Sequence, residues 1–144
     1  MKLPQNRSHK PIISVNDYDK IDAQYISDTD ARALSIGQST WDGKYISLKI
    51  WRHNGKQWKG NSEEMPIHRC LDLAILFLAS IKKDKKLPYP ICSLQLTVDR
   101  EDLFDEIRNF YESTDNRNHI DARLYELRNL LNDWREREGG TYGK

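Results

Sequence analysis

Ala33–Trp58, ALSIGQSTWDGKYISLKIWRHNGKQW, decides the fold by its alternation. Leu34, Ile36, Ile46, Leu48 and Ile50 fall on one face at period two, with Tyr45, Ser47, Lys49 and Trp51 on the other, the pattern of strands with one wet face. A two-residue turn at Asp42-Gly43 would set Ile36 against Lys49 and so join opposite faces. A three-residue loop of Trp41, Asp42 and Gly43 instead pairs Ile36 with Leu48 and Leu34 with Ile50, with glycine at the left-handed position and Trp41 at the tip. Asn54-Gly55 is the preferred dipeptide for a two-residue type I′ hairpin, and that register sets Trp51 opposite Trp58. Alternation then puts both indoles on the face away from Leu48 and Ile50, outside the aliphatic core.

Downstream of the hairpin, CLDLAILFLASI is too long and unbroken for one strand and reads as a central buried helix over Pro66–Lys83, ended by the cations of KKDKK. Asn61 and Glu64 could form a capping box, but Pro66 favours the first helical position and marks the start. Cys92, Leu94, Leu96 and Val98 alternate as one more half-buried strand. Asp99 caps a helix to about Tyr111, with Leu103, Ile107 and Phe110 on one stripe. After a break at Ser113–Asn116, Ile120, Leu124, Leu127, Leu131 and Trp134 repeat at four and three until Gly139-Gly140. Upstream, residues 1–11 form an extended arm with Ile12, Ile13 and Val15 as its first anchors. Asn16 caps a short helix carrying Tyr18, Ile21 and Tyr25 on one face. The expectation is one α+β domain over residues 1–144: a small antiparallel sheet packed on a central buried helix, with a C-terminal helical pair and a loose tail at 139–144.

The chain has 144 residues, and its 23 Lys plus Arg nearly balance 22 Asp plus Glu, for a net charge of +1. That balance excludes binding to nucleic acid or membrane by an overall excess of charge, so any electrostatic function is local. MKLPQNRSHKP has no apolar core for a signal peptide, and Leu73–Ile81 is far shorter than the ~20 residues of a membrane span. A cytoplasmic setting is the expectation, with Cys70 and Cys92 as reduced core residues.

Charge is segregated along the chain. Between Asp42 and Glu63 there is no acid but five cations, Lys44, Lys49, Arg52, Lys56 and Lys59, whereas Asp99–Glu138 carries twelve acids against seven arginines. Cations interleaved with Tyr45, Trp51 and Trp58 are the residue types of protein interfaces, so the leading expectation is a non-enzymatic binding module. Its candidate contacts are Trp51, Trp58, Tyr45, Lys49, Arg52, Lys56 and Lys59, and its partner another protein or a second copy of the chain. Single-stranded nucleic acid on the same face is the alternative, with the indoles stacking on bases. A further alternative is an enzyme or metal site at Glu64, His68 and Asp72, which share a helical face if the helix begins early enough. Against it, Asp72 pairs readily with Arg69, His68 or a nearby backbone amide at the edge of the core, a structural role. No phosphate loop, dinucleotide fingerprint, nucleophile elbow or calcium loop occurs, and no cofactor or metal is expected.

The stretch WRHNGKQWKGNSEEMPIHRCLDLAIL, with ALSIGQSTWD before it, is similar to an uncharacterised bacterial family known only as a domain of unknown function. The likeness rests on Trp51, Arg52, Trp58, Glu63, Glu64, His68, Arg69 and Asp72. It implies a bacterial cytoplasmic protein and transfers no activity, ligand or catalytic residue.

Overall fold

Four antiparallel strands form the sheet in the order β1-β2-β3-β4: β1 Lys10–Asn16, β2 Ala31–Gln38, β3 Ile46–Arg52 and β4 Glu64–Pro66. The computed structural model describes residues 2–60, 62–81 and 96–137. These divide into two units, one of residues 2–79 with 96, the other of residues 80–81 with 97–137. No helix among the described residues is long and apolar enough to cross a membrane.

In the first unit, Leu34 pairs with Ile50 and Ile36 with Leu48, the register that alternation requires. The loop between them is longer than three residues. Ser39 closes the ladder by donating its N–H to the Tyr45 carbonyl, and the Asp42 carbonyl accepts from the Tyr45 N–H and the Ser39 hydroxyl. Thr40 is drawn out of the ladder because its N–H and hydroxyl both donate to Glu64. Gly43 is therefore not the left-handed residue of a tight loop; among the described residues Gly55, at φ 94°, is the glycine with positive φ. The next turn also differs from expectation. His53, not Trp51, pairs with Trp58, because Asn54 Oδ1 accepts from the N–H groups of Lys56 and Gln57 and widens the turn to residues 54–57.

The larger departure is in which face is buried. Ala31, Ala33, Ser35, Ser47, Trp51 and His53 are buried, whereas Leu34, Ile36, Leu48 and Ile50 are only half-buried. The N-terminal arm explains this: Leu3 packs with Ala33 and Trp51, and His9 is fully enclosed. These two residues anchor the arm, not Ile12, Ile13 and Val15, which are exposed at 65%, 68% and 46%. Gly37 lets β1 come close, since a Cβ there would lie 2.0 Å from the Lys10 carbonyl oxygen. Immediately beyond, Ile12 is the unpaired residue of a bulge between Pro11 and Ile13.

The helix expected after Asn16 is instead two 3-10 turns, Tyr18–Lys20 and Ala23–Tyr25, with the first lying against β2. Asp17, Ala23 and Ser27 have φ of 56°, 49° and 67°, and each interrupts helical geometry. Pro66 ends β4, and α1 runs Ile67–Ser80. β4 passes into α1 without a loop, and Cys70 of α1 borders the aliphatic face of the sheet together with Leu34, Ile36, Leu48 and Ile50. Ala79 is its one buried residue, so the helix expected to be buried keeps much of its surface exposed. The aliphatic face of the sheet is thus left as an open cleft of about 440 Å³, lined by Ile13, Val15, Leu34, Ile36, Met65 and Cys70 among others.

The strand expected from Cys92 lies largely outside the described residues. In the second unit a 3-10 turn at Glu101–Leu103 leads into α2, Phe104–Glu112, so Arg100 rather than Asp99 holds the first cap position. Ser113 takes extended geometry and breaks the chain before α3, Thr114–Arg137. The two helices form the expected pair: Tyr111 donates its hydroxyl to Asp121, and Ile120, Leu124, Leu127 and Leu131 make a half-buried stripe. Trp134 is 47% exposed and does not join that stripe. The glycines expected to stop α3 lie outside the described residues. The α+β class, with a small antiparallel sheet, helices and a C-terminal helical pair, is as the sequence leads one to expect.

Candidate functional site: a buried histidine network and an exposed aromatic patch

Small residues at Ala33, Ser35 and Gly37 leave a recess on the buried face of β2, and His9 fills it. Its Nε2 lies 2.8 Å from Ser35 Oγ and its Nδ1 lies 2.9 Å from Ser47 Oγ. The proton positions follow from what each group can do. Ser47 donates to the Glu64 carboxylate at 2.7 Å, so its oxygen must accept from His9 Nδ1–H. His9 Nε2 is then an acceptor, and Ser35 donates to it while accepting the indole N–H of Trp51 at 2.8 Å. The network runs in one direction, from Trp51 through Ser35, His9 and Ser47 to Glu64, and every member is satisfied with a neutral imidazole. Burial pushes the His9 pKa below its ordinary value, outweighing the pull of Glu64.

Glu64 is where this network meets solvent. Burial alone would raise its pKa, but hydrogen bonds from Thr40 and Ser47 and the neighbouring His9 bring it below the ordinary value. It borders an open polar cleft of about 510 Å³ with Thr40, Lys49, Arg52, Ser62 and Glu63. His9 and Ser47 are both fully buried, so no substrate reaches the serine–histidine contact. Its chemistry is that of a lock: it ties arm, β2, β3 and β4 together by hydrogen bonds that lack competing water.

The residues singled out from sequence are partly redistributed. Trp51 is 1% exposed, beneath Leu3 and edge-on to His9 and Trp58 with centroids 5.8 Å away in each case. Trp58 is half-buried and also edge-on to His53 at 4.9 Å. The indole pair is therefore a second core under the terminal arm, not an exposed recognition face. Lys49 lies 4.3 Å over the Trp51 ring, and burial lowers its pKa.

Arg52 bonds Glu63 through two nitrogens and Asp30 through a third, and Lys59 Nζ is 2.5 Å from the same Asp30. The Lys59 ammonium and the Arg52 guanidinium hold Asp30 below the usual carboxylate range, and the Arg52 guanidinium does the same for Glu63. Two of the five hairpin cations are thus neutralised within the fold, which takes support from the nucleic-acid reading. Tyr45 and Lys56 remain exposed.

Glu64, His68 and Asp72 do not converge. Glu64 belongs to β4 and turns into the buried network, whereas His68 and Asp72 are exposed on α1. Among the described residues Asp72 makes no ion pair with Arg69 or His68, and no group of three potential metal ligands occurs.

A different constellation surrounds His68. Trp41, Tyr45, Ile46, Pro66, Ile67 and Leu71 line with it a cavity of about 530 Å³ where the β2–β3 loop meets the start of α1. Trp41 is 50%, Tyr45 61% and Leu71 55% exposed. The sequence singled out Tyr45 and set Trp41 at a loop tip, but placed Leu71 with the rest of CLDLAILFLASI in a central buried helix. His9, Ser35 and Ser47 were missed because polar residues read as surface. The signal for them was the small-residue alternation of Ala33, Ser35 and Gly37 across from Trp51.

Neither a curated protein nor a solved structure matches the chain. A family model does match, over residues 1–90, which contain the whole sheet, the histidine network and α1. On that match the chain belongs to the family of unknown function DUF6530.

Proposed function

We propose that the chain is a non-enzymatic protein-binding module whose contact is centred on Trp41 and Tyr45. One observation carries this reading: large apolar side chains of Trp41, Tyr45, Ile46, Ile67 and Leu71 stand exposed around a single cavity. Tryptophan and tyrosine in such a setting supply interface energy at low cost in side-chain entropy, and an exposed apolar cluster of this kind marks an interaction site. The partner that fits is an amphipathic polypeptide segment presenting one apolar side chain to the cavity. This moves the expected aromatic hairpin contact from Trp51 and Trp58 to the loop at the other end of β3.

The test is a photo-reactive phenylalanine analogue at Tyr45, with the same analogue at Lys56 as control, irradiated in cells that express the full chain. The reading expects one discrete adduct at Tyr45 that disappears with Trp41→Ala and is absent from Lys56. An adduct pattern equal at both positions, or none at Tyr45, overturns it. Adduct formation at Lys56 alone would return the site to the basic turn.

A further inference from the structure

The outer edge of β1 faces no other strand among the described residues, and the sheet order ends on it. Native proteins usually blunt such an edge with charge, proline or a bulge. Here Pro11 and the bulge at Ile12 blunt only its first half. From Ile13 to Asn16 the edge carries no charge, and every side chain along it is exposed. Ile13 and Val15 pair with Ile36 and Leu34, so they continue the open aliphatic face out to the rim of the sheet.

The charges at the two ends of the strand specify an occupant. Lys10 stands at its beginning and Asp17 at its end, both exposed. The Lys10 ammonium donates to the carbonyls of Gln5 and Arg7, neither of which cancels its charge. Asp17 makes no ion pair among the described residues. A strand laid antiparallel on this edge meets its own complement when it has the same sequence, with cationic end beside acidic end at both termini. A parallel copy would bring like charges together.

We infer that this edge is a self-association surface, on which β1 pairs with β1 of a second copy of the chain about a two-fold axis through Ser14. That register keeps Pro11 away from the central pairs. It sets Ile13 opposite Val15 of the second copy, and Val15 opposite its Ile13, so that the two open aliphatic faces join into one. Ser14 meets Ser14 on the other face, and Lys10 of each copy neighbours Asp17 of the other. A two-fold contact of one patch with itself is the commonest symmetry among homo-oligomers. The inference uses a different surface from the Trp41 patch and stands or falls separately.

The experiment is sedimentation equilibrium of the full chain over a concentration series, with far-UV circular dichroism confirming the fold of each variant. The wild-type chain is expected to approach twice its 17.0 kDa mass with rising concentration. Val15→Lys should weaken the dimer by roughly tenfold or more, since a cation at mid-edge opposes pairing. Lys10→Glu and Asp17→Lys should each weaken it several-fold, and the double exchange should restore it, because the pairs then form with reversed sign. Trp41→Ala should leave the dimer unchanged. A chain that stays monomeric throughout, or a double exchange no better than either single one, overturns the proposal. So does a dimer lost in Trp41→Ala but kept in Val15→Lys, which would assign self-association to the aromatic patch.

Discussion

His9 shows what one buried ionisable side chain does to a fold of this size. Neutral, it completes a chain of hydrogen bonds; protonated, its Nε2–H would donate to Ser35 Oγ alongside the Trp51 indole and leave the serine O–H without its acceptor. Burial holds its pKa below the ordinary 6.5, so between these values the unfolded chain binds a proton that the folded chain refuses. Stability is therefore complete above 6.5 and falls as the pH drops through that value toward the folded one. Glu64 has the same sign lower down: its folded pKa lies below 4.5, so its contribution holds above 4.5 and is lost as pH falls through the folded value. Thermal unfolding across this range should show a decline in two stages. His9→Gln should flatten the upper stage, while the lower one persists on the Thr40 and Ser47 hydrogen bonds to Glu64; an unchanged upper stage would remove His9 as its source.

The register of β2 on β3 was legible because one slip would turn every aliphatic side chain to the wrong face, and the observed Leu34–Ile50 and Ile36–Leu48 pairs follow from that. Turns were less legible because their geometry depends on side-chain hydrogen bonds that periodicity does not encode. Asn54 reaching Lys56 and Gln57 lengthens one turn, and Glu64 holding Thr40 opens the other. The segment after β1 fails as a helix for a related reason, since Ala23 takes left-handed geometry at φ 49°. That conformation costs an L-residue about 1–2 kcal/mol, whereas glycine adopts it freely and loses about 0.5–1 kcal/mol in unfolded-chain entropy. Ala23→Gly should accordingly raise stability by up to about 1 kcal/mol, read as a higher denaturant midpoint at constant slope. A lower midpoint would mean that the methyl group makes a contact worth more than the backbone gain.

In the first unit, the terminal arm decides which side of the sheet is interior. Leu3 and His9 close over Ala33, Ser35, Ser47 and Trp51, and the aliphatic face on the other side stays open beside β1. Deleting residues 1–9 should uncover Trp51. We expect a red-shifted tryptophan emission and faster acrylamide quenching, with a loss of stability of several kcal/mol as one buried apolar cluster and its hydrogen bonds go. Unchanged quenching in a folded truncated chain would show that other residues cover the indole.

Local chemistry written along the chain determined that there would be strands at Ala33–Arg52, their register, a helix after Pro66 and a helical pair near the C-terminus. Each depends on periodicity or on a backbone preference of neighbouring residues. Which face of the sheet is interior was decided only in three dimensions, because it turns on His9 and Leu3 meeting residues more than two dozen positions away. Polar side chains such as Ser35, Ser47 and Glu64 become core only when a partner satisfies them, and no local pattern names the partner. The same holds for the exposed sites: Trp41, Tyr45 and Leu71 become one patch because β4 turns directly into α1 beside the loop.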